Sequence, residues 1–206
     1  MGYASVPNTA PGWMMNTDSQ GITLTPSDIC GKLSALTGRF VLANGNGGDT
    51  AQQVKTRFDA KAYGWGLNQV FDFGFNNISD AAHAYAQDII DVQTTIAAMV
   101  AELSHTRFIV MGLFSGPLNS IGVNAAGNAA RVTINANLAA TYGQNFLNIE
   151  PVLVNYDPSN TAAIAGNYIP DILQQPGASS SHPNDLGLTV ITNLLLARAR
   201  RLGMAA

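Results

Sequence analysis

Residues 40–50, Phe-Val-Leu-Ala-Asn-Gly-Asn-Gly-Gly-Asp-Thr, run from four apolar residues straight into a Gly/Asn cluster. Residues 69–77, Gln-Val-Phe-Asp-Phe-Gly-Phe-Asn-Asn, repeat the pattern. A short apolar run that stops at turn residues is the mark of a buried strand entering a loop. Residues 40–43 and 69–73 are therefore predicted strands, and residues 107–113 (RFIVMGL) and 146–149 supply a third and a fourth. Helical patterns occupy the intervals. Residues 26–36 read as a short helix capped by Thr25 or Ser27 and stopped by Gly38, and residues 50–58 as another. Ser79 opens a long helix in which Tyr85, Ile89, Ile96, Met99, Val100 and Leu103 recur at helical spacing. Residues 125–142 and 185–202 complete the set, the last with Arg198, Arg200 and Arg201 where cations complement the helix dipole. Strands alternating with helices predict a three-layer α/β/α domain with a mainly parallel sheet, flavodoxin-like, spanning residues 1–206. Residues 1–25 carry turn clusters and no sustained period, so they are expected to be irregular, as are residues 157–181 apart from a turn of helix near Ile169.

Composition narrows the classes. The 206 residues are 47% hydrophobic, enough for a sizeable core without a stabilising metal or disulfide, and the single Cys30 excludes an internal disulfide. Ten basic against thirteen acidic residues leave a net charge of −3, which argues against a nucleic-acid partner. No apolar window is long enough to span a membrane, and no signal-peptide pattern opens the chain. Charged residues make up only 11%, against about 25% in an ordinary soluble domain. A surface of small neutral polar residues suits an extracellular, virion-borne or carbohydrate-facing protein, or one packed into a homo-oligomer or assembly.

In parallel α/β sheets, ligands bind beyond the carboxyl ends of the strands. Two Gly/Asn loops sit there, residues 44–50 and 74–77, and a third polar stretch, residues 179–187 (SSSHPNDLG), precedes the last helix. Backbone N–H groups at Gly, an Asn amide and an imidazole at a loop–helix junction could supply an oxyanion hole and a general base for acyl transfer.

The order of these blocks resembles the SGNH (GDSL-type) hydrolases, a family of esterases and lipases, over about residues 27–200. Gly48 in Gly-Gly-Asp-Thr looks like the family's second-block Gly, whose N–H donates to the oxyanion. Gly74-Phe75-Asn76-Asn77 looks like the third block, Gly-x-Asn-Asp, with Asn76 as side-chain donor and Asn77 where Asp is usual. His182 is similar to the family's base. The resemblance implies hydrolysis of a carboxylic ester, such as an O-acetyl group on a carbohydrate, with no cofactor. Three His without clustered carboxylates argue against a metal site.

Two departures stand beside these matches. The family's acid lies three residues before its His, and Ser179 occupies that place; a backbone carbonyl is the substitute some members are thought to use. No Gly-Asp-Ser follows an apolar strand near the N-terminus. Thr17-Asp18-Ser19 is the nearest string, which makes Ser19 one candidate nucleophile. Alternatively, Gly2-Tyr3 resembles residues just downstream of the family's serine, which places the first strand and its Ser upstream of Met1; that account is the preferred expectation. The functional alternative is a catalytically inactive SGNH-like domain serving as a binding or structural module on a phage particle or cell surface.

The same residues have plainer readings. Gly45, Gly47 and Gly48 could make only a tight turn, Asn76 and Asn77 a helix cap, and His182 an ordinary loop histidine. His83 and His105 are expected to be structural, Asp88 and Asp91 a solvated face, Asp49 a helix cap, and Trp13-Met14-Met15 core or interface rather than a substrate-facing patch.

Overall fold

The computed structural model describes residues 11–18, 28–78, 84–116, 124–175 and 182–205. Five parallel strands, β1 (Trp13–Thr17), β2 (Val41–Gly45), β3 (Asn68–Asp72), β4 (Phe108–Met111) and β5 (Phe146–Leu147), form one sheet in the order β2-β1-β3-β4-β5. The largest correction to the sequence reading is β1. The segment read as irregular holds the strand between β2 and β3, with all five residues buried. A strand inside this chain thus leads into Thr17-Asp18-Ser19, where an irregular segment was expected. Trp13, Met14 and Met15 are 0, 0 and 1% exposed, so that trio is core.

Side chains alternate across the sheet, and each face carries its own apolar layer. Trp13, Met15, Val41, Val70, Ile109 and Leu147 pack against α1 (Ile29–Thr37) and α8 (Asp185–Arg201) through Cys30, Leu33, Ile191 and Leu195. Met14, Phe71, Phe108, Val110 and Phe146 pack against α2 (Ala51–Asp59), α4 (Tyr85–Ala101) and α5 (Ala125–Tyr142) through Val54, Phe58, Ile96 and Ile134. This is the expected three-layer arrangement. Helices covering both faces explain why the strands are near-continuous apolar runs rather than alternating ones.

Differences of local detail have local causes. The first helix starts at Ile29 because the Asp28 carboxylate, not Thr25 or Ser27, caps it, accepting from Gly31 N–H at 2.6 Å. The long helix is seen from Tyr85, since residues 79–83, His83 among them, lie outside the described residues. Asn44 and Gly45, read as loop, extend β2 by pairing with Asn16 and Thr17. Short helices α3 (Phe75–Ile78), α6 (Glu150–Val154) and α7 (Thr161–Gly166) were not expected, while a single 3₁₀ turn at Asp171–Leu173 answers the turn expected near Ile169. On the α2 face, three buried amides make a ladder across the strands. Asn44 Nδ2 donates to Asn16 Oδ1 at 2.9 Å, Asn16 Nδ2 to Gln69 Oε1 at 3.1 Å, and Gln69 Nε2 to the Gly64 carbonyl at 2.9 Å. That ladder lets a polar residue sit at the centre of a buried strand, because an unpaired buried amide costs about 1–3 kcal/mol.

Candidate active site

The chain leaves β1 outward to β2 and returns past it to β3, so a topological switch point lies between the carboxyl ends of β1 and β3. Thr17 is in register with Asp72 there. Asp18 follows β1 directly, and its carboxylate is received by the turn after β3. Asp18 Oδ2 accepts Gly74 N–H at 2.9 Å and Asn76 N–H at 3.4 Å. Gly74 is required at that turn on two counts, a φ of +118° and an added Cβ lying only 3.0 Å from Val92 Cγ1. Burial pushes the Asp18 carboxyl up to about 6 against the opposing pull of these N–H groups. Asp72, partly buried and without a hydrogen-bond partner among the described residues, is pushed up to about 7 by burial and by the neighbouring Asp18 charge.

Gly48 and Asn76, the two residues read as oxyanion donors, are brought together. Gly48 N–H and Asn76 Nδ2 each donate at 3.2 Å to one acceptor, the Asp18 carbonyl oxygen. Of the three turn glycines, Gly48 alone has a positive φ, +87°, and nothing lies within 4 Å of where its Cβ would be. Its glycine thus serves backbone conformation, not the close approach of a neighbour. Asn76 does not cap a helix, and Asn77 caps the wrong one for the plainer reading: its Oδ1 accepts Ala51 N–H at 2.8 Å, holding the start of α2. Asp49 is not the cap of α2 either. Thr50 and Gln53 form a capping box there, while Asp49 pairs with Arg57 and accepts from Asn46 Nδ2.

His182 lies exposed at the head of α8. Its carbonyl accepts Gln175 N–H at 3.0 Å, Pro183 bridges Gln174, and Asn184 caps α8 while donating to the Ile172 and Gln174 carbonyls. The segment is therefore well tethered, but the His182 ring makes no hydrogen bond to a described residue. Ser19 and Ser179 lie outside the described residues. His105 is structural as expected, its ring bonded to the Trp65 carbonyl and to Arg107 N–H. Asp91 accepts from Gln52 and Gln87 at the surface. Among the described residues no three His, Cys, Asp or Glu are grouped to hold a metal ion, and no helix is long and apolar enough to cross a membrane.

What the sequence reading missed is Arg57, Asp18 and Asp72. Asp18 was passed over because β1 was not recognised. Asp72, inside a predicted strand, carried only the weak signal of a lone acid in an apolar run.

No family model matches the sequence, and no curated protein matches it significantly. Solved structures do match in shape. A lipase/acylhydrolase from Enterococcus faecalis shares 15% identity at a TM-score of 0.69, over 93% of this chain and 96% of that one. An acetyl xylan esterase shares 14% at 0.67, over 90% and 98%. A GDSL-like lipase from Bacteroides thetaiotaomicron shares 13% at 0.65, over 92% and 87%. Strand order, helices on both faces and near-complete mutual coverage agree: this chain has an SGNH-hydrolase-like fold.

Proposed function

We propose that the protein hydrolyses a carboxylic ester by the SGNH route, with Ser19 as nucleophile, His182 as general base, and Gly48 N–H with Asn76 Nδ2 as oxyanion donors. The observation that carries this reading is the convergence of those two donors on a single oxygen one residue before Ser19. Two donors aimed at one point are what a tetrahedral intermediate requires. In the resting arrangement the Asp18 carbonyl takes that place. A substrate oxyanion displaces it, because hydrogen bonds to a full negative charge are roughly twice as strong as those to a neutral carbonyl.

The steps follow from these roles. Ser19 Oγ attacks the ester carbonyl carbon while the His182 imidazole takes its proton, and the carbonyl oxygen becomes an anion between Gly48 and Asn76. Collapse breaks the bond to the leaving alkoxide, which receives the proton from the imidazolium. Water then attacks the acyl-serine by the same path and releases the carboxylic acid. Ser179 stands where the family's acid is usual, and the His182 ring has no hydrogen-bond partner among the described residues. An O-acetyl group on a carbohydrate is the proposed substrate, supported by the acetyl xylan esterase among the structural neighbours and by a surface poor in charge.

The loss of that acid also favours a second reading, an inactive module that retains the fold. Hydrolysis of p-nitrophenyl acetate by the chain, beside Ser19→Ala and His182→Ala, separates the two. A rate above buffer that falls about 10³-fold or more in either variant supports the esterase. A wild-type rate equal to buffer overturns it in favour of the inactive module.

A further inference from the structure

We infer that Arg57, on α2, is the positioning residue that fixes the Gly48 donor relative to the end of β1; this rests on the esterase reading for its catalytic consequence, though not for its geometry. One terminal nitrogen of the guanidinium pairs with the Asp49 carboxylate, immediately after Gly48. The other donates to the Thr17 carbonyl at 3.1 Å, with the Asn44 carbonyl at 3.5 Å. Thr17 ends β1 and precedes Asp18, the acceptor of Gly48 N–H; Asn44 lies at the end of β2, from which the Gly48 turn departs. A single planar fork thus ties together the strand that leads to Ser19, the strand that leads to Gly48, and the turn itself. Asn46 Nδ2 holds the other side of the Asp49 carboxylate at 2.6 Å, so the turn is gripped from both sides.

An ordinary surface ion pair would do none of this. The Arg57 and Asp49 side chains are 24% and 11% exposed, and the contacts to strand-end carbonyls need the two-sided donor geometry that Arg has and Lys lacks. Gly48 at φ +87° has no side chain to hold it, so its direction depends on neighbours. A donor misplaced by a fraction of an ångström loses much of its value to a transition state.

The test compares Arg57→Met, Arg57→Lys and Asp49→Asn with the wild type by two readouts. The first is kcat and KM for p-nitrophenyl acetate. The expected result is a fall in kcat of about 10- to 100-fold in Arg57→Met with KM little changed, and a smaller fall in Arg57→Lys. The second is amide hydrogen exchange. Gly48 N–H is expected to exchange at least about tenfold faster in Arg57→Met while amides in the middle of α4 keep wild-type protection. Wild-type kcat together with wild-type Gly48 protection in Arg57→Met overturns the inference. Should Arg57→Met fail to fold, Asp49→Asn, which weakens the ion pair and leaves the carbonyl contacts, is read in its place by the same two criteria. A wild-type chain without hydrolysis defeats the esterase reading only, because the exchange of Gly48 still decides whether Arg57 positions it.

Discussion

The carboxyl edge of the sheet has two halves that use polar groups in opposite ways. At β4 and β5 they close on one another. Arg131 on α5, 1% exposed, pairs with Glu150 at the head of α6, and Asn128 accepts from the same guanidinium. Asn135, one turn further along α5, accepts Leu113 N–H at 2.8 Å and donates to the Leu113 carbonyl at 2.7 Å, so that residue's backbone is satisfied twice over. At β1, β2 and β3 the polar groups instead converge on a point. Gly48 and Asn76 share one acceptor, Asp18 and Asp72 crowd two carboxyls with raised proton affinity, and Asp72 is left without a partner among the described residues. One half spends its polarity on holding helices in place, whereas the other gathers donors and acids around the end of β1.

If that contrast is right, the largest stability effect belongs to the first half. Glu150→Ala leaves a buried guanidinium unpaired and is expected to lower unfolding free energy by about 3–5 kcal/mol in urea titrations. The double variant Arg131→Met/Glu150→Leu should recover most of that loss; if it is as unstable as the single variant, the pair is more than a satisfied charge. The second half should respond in rate instead. Asn76→Ala is expected to lower kcat about 10²- to 10³-fold with a stability change of about 1 kcal/mol, measured by steady-state kinetics beside thermal unfolding. An Asn76→Ala protein that loses several kcal/mol of stability yet keeps its kcat while folded would erase the distinction between the halves.

The smallest effect is one of pH. The Asp72 carboxyl ordinarily titrates near 3.8 and is held near 7 in the fold. Between those values the native state keeps a proton that the unfolded chain has lost, so this group's contribution to stability is full below pH 4 and fades as pH rises through 7. Asp72→Asn should therefore match the wild type at pH 4 and exceed it progressively as pH rises to 8, in urea titrations at each pH. A variant less stable than wild type at pH 8 would mean that the Asp72 charge is used by the fold rather than tolerated.

The layered architecture was legible because four of the five strands are apolar runs that stop at Gly or Asn, and because Gly48 and Asn76 stand where such runs stop. Residues 13–17 were not legible for a physical reason. A strand covered on both faces shows no alternation, and Trp-Met-Met-Asn-Thr has a single β-branched residue, Thr17, at its very end. Its Asn16 reads as a turn former until Asn44 and Gln69 are seen on either side. Arg57 and Arg131 were invisible for a different reason: each is a helix cation whose ion-pair partner lies elsewhere in the chain, 8 residues away for Arg57 and 19 for Arg131. His182 was placed by its motif at a loop–helix junction, and the junction is there, but orienting its ring depends on contacts that no local pattern encodes.

The proposed nucleophile is Ser19, two residues along the chain from the last residue of β1. Incubation with a fluorophosphonate, followed by peptide mapping in a mass spectrometer, tests it most directly. The expected result is one phosphonyl adduct on the peptide containing Ser19, absent in Ser19→Ala and formed much more slowly in Asn76→Ala. An unmodified Ser19 in folded protein, or an adduct that survives in Ser19→Ala, would contradict it.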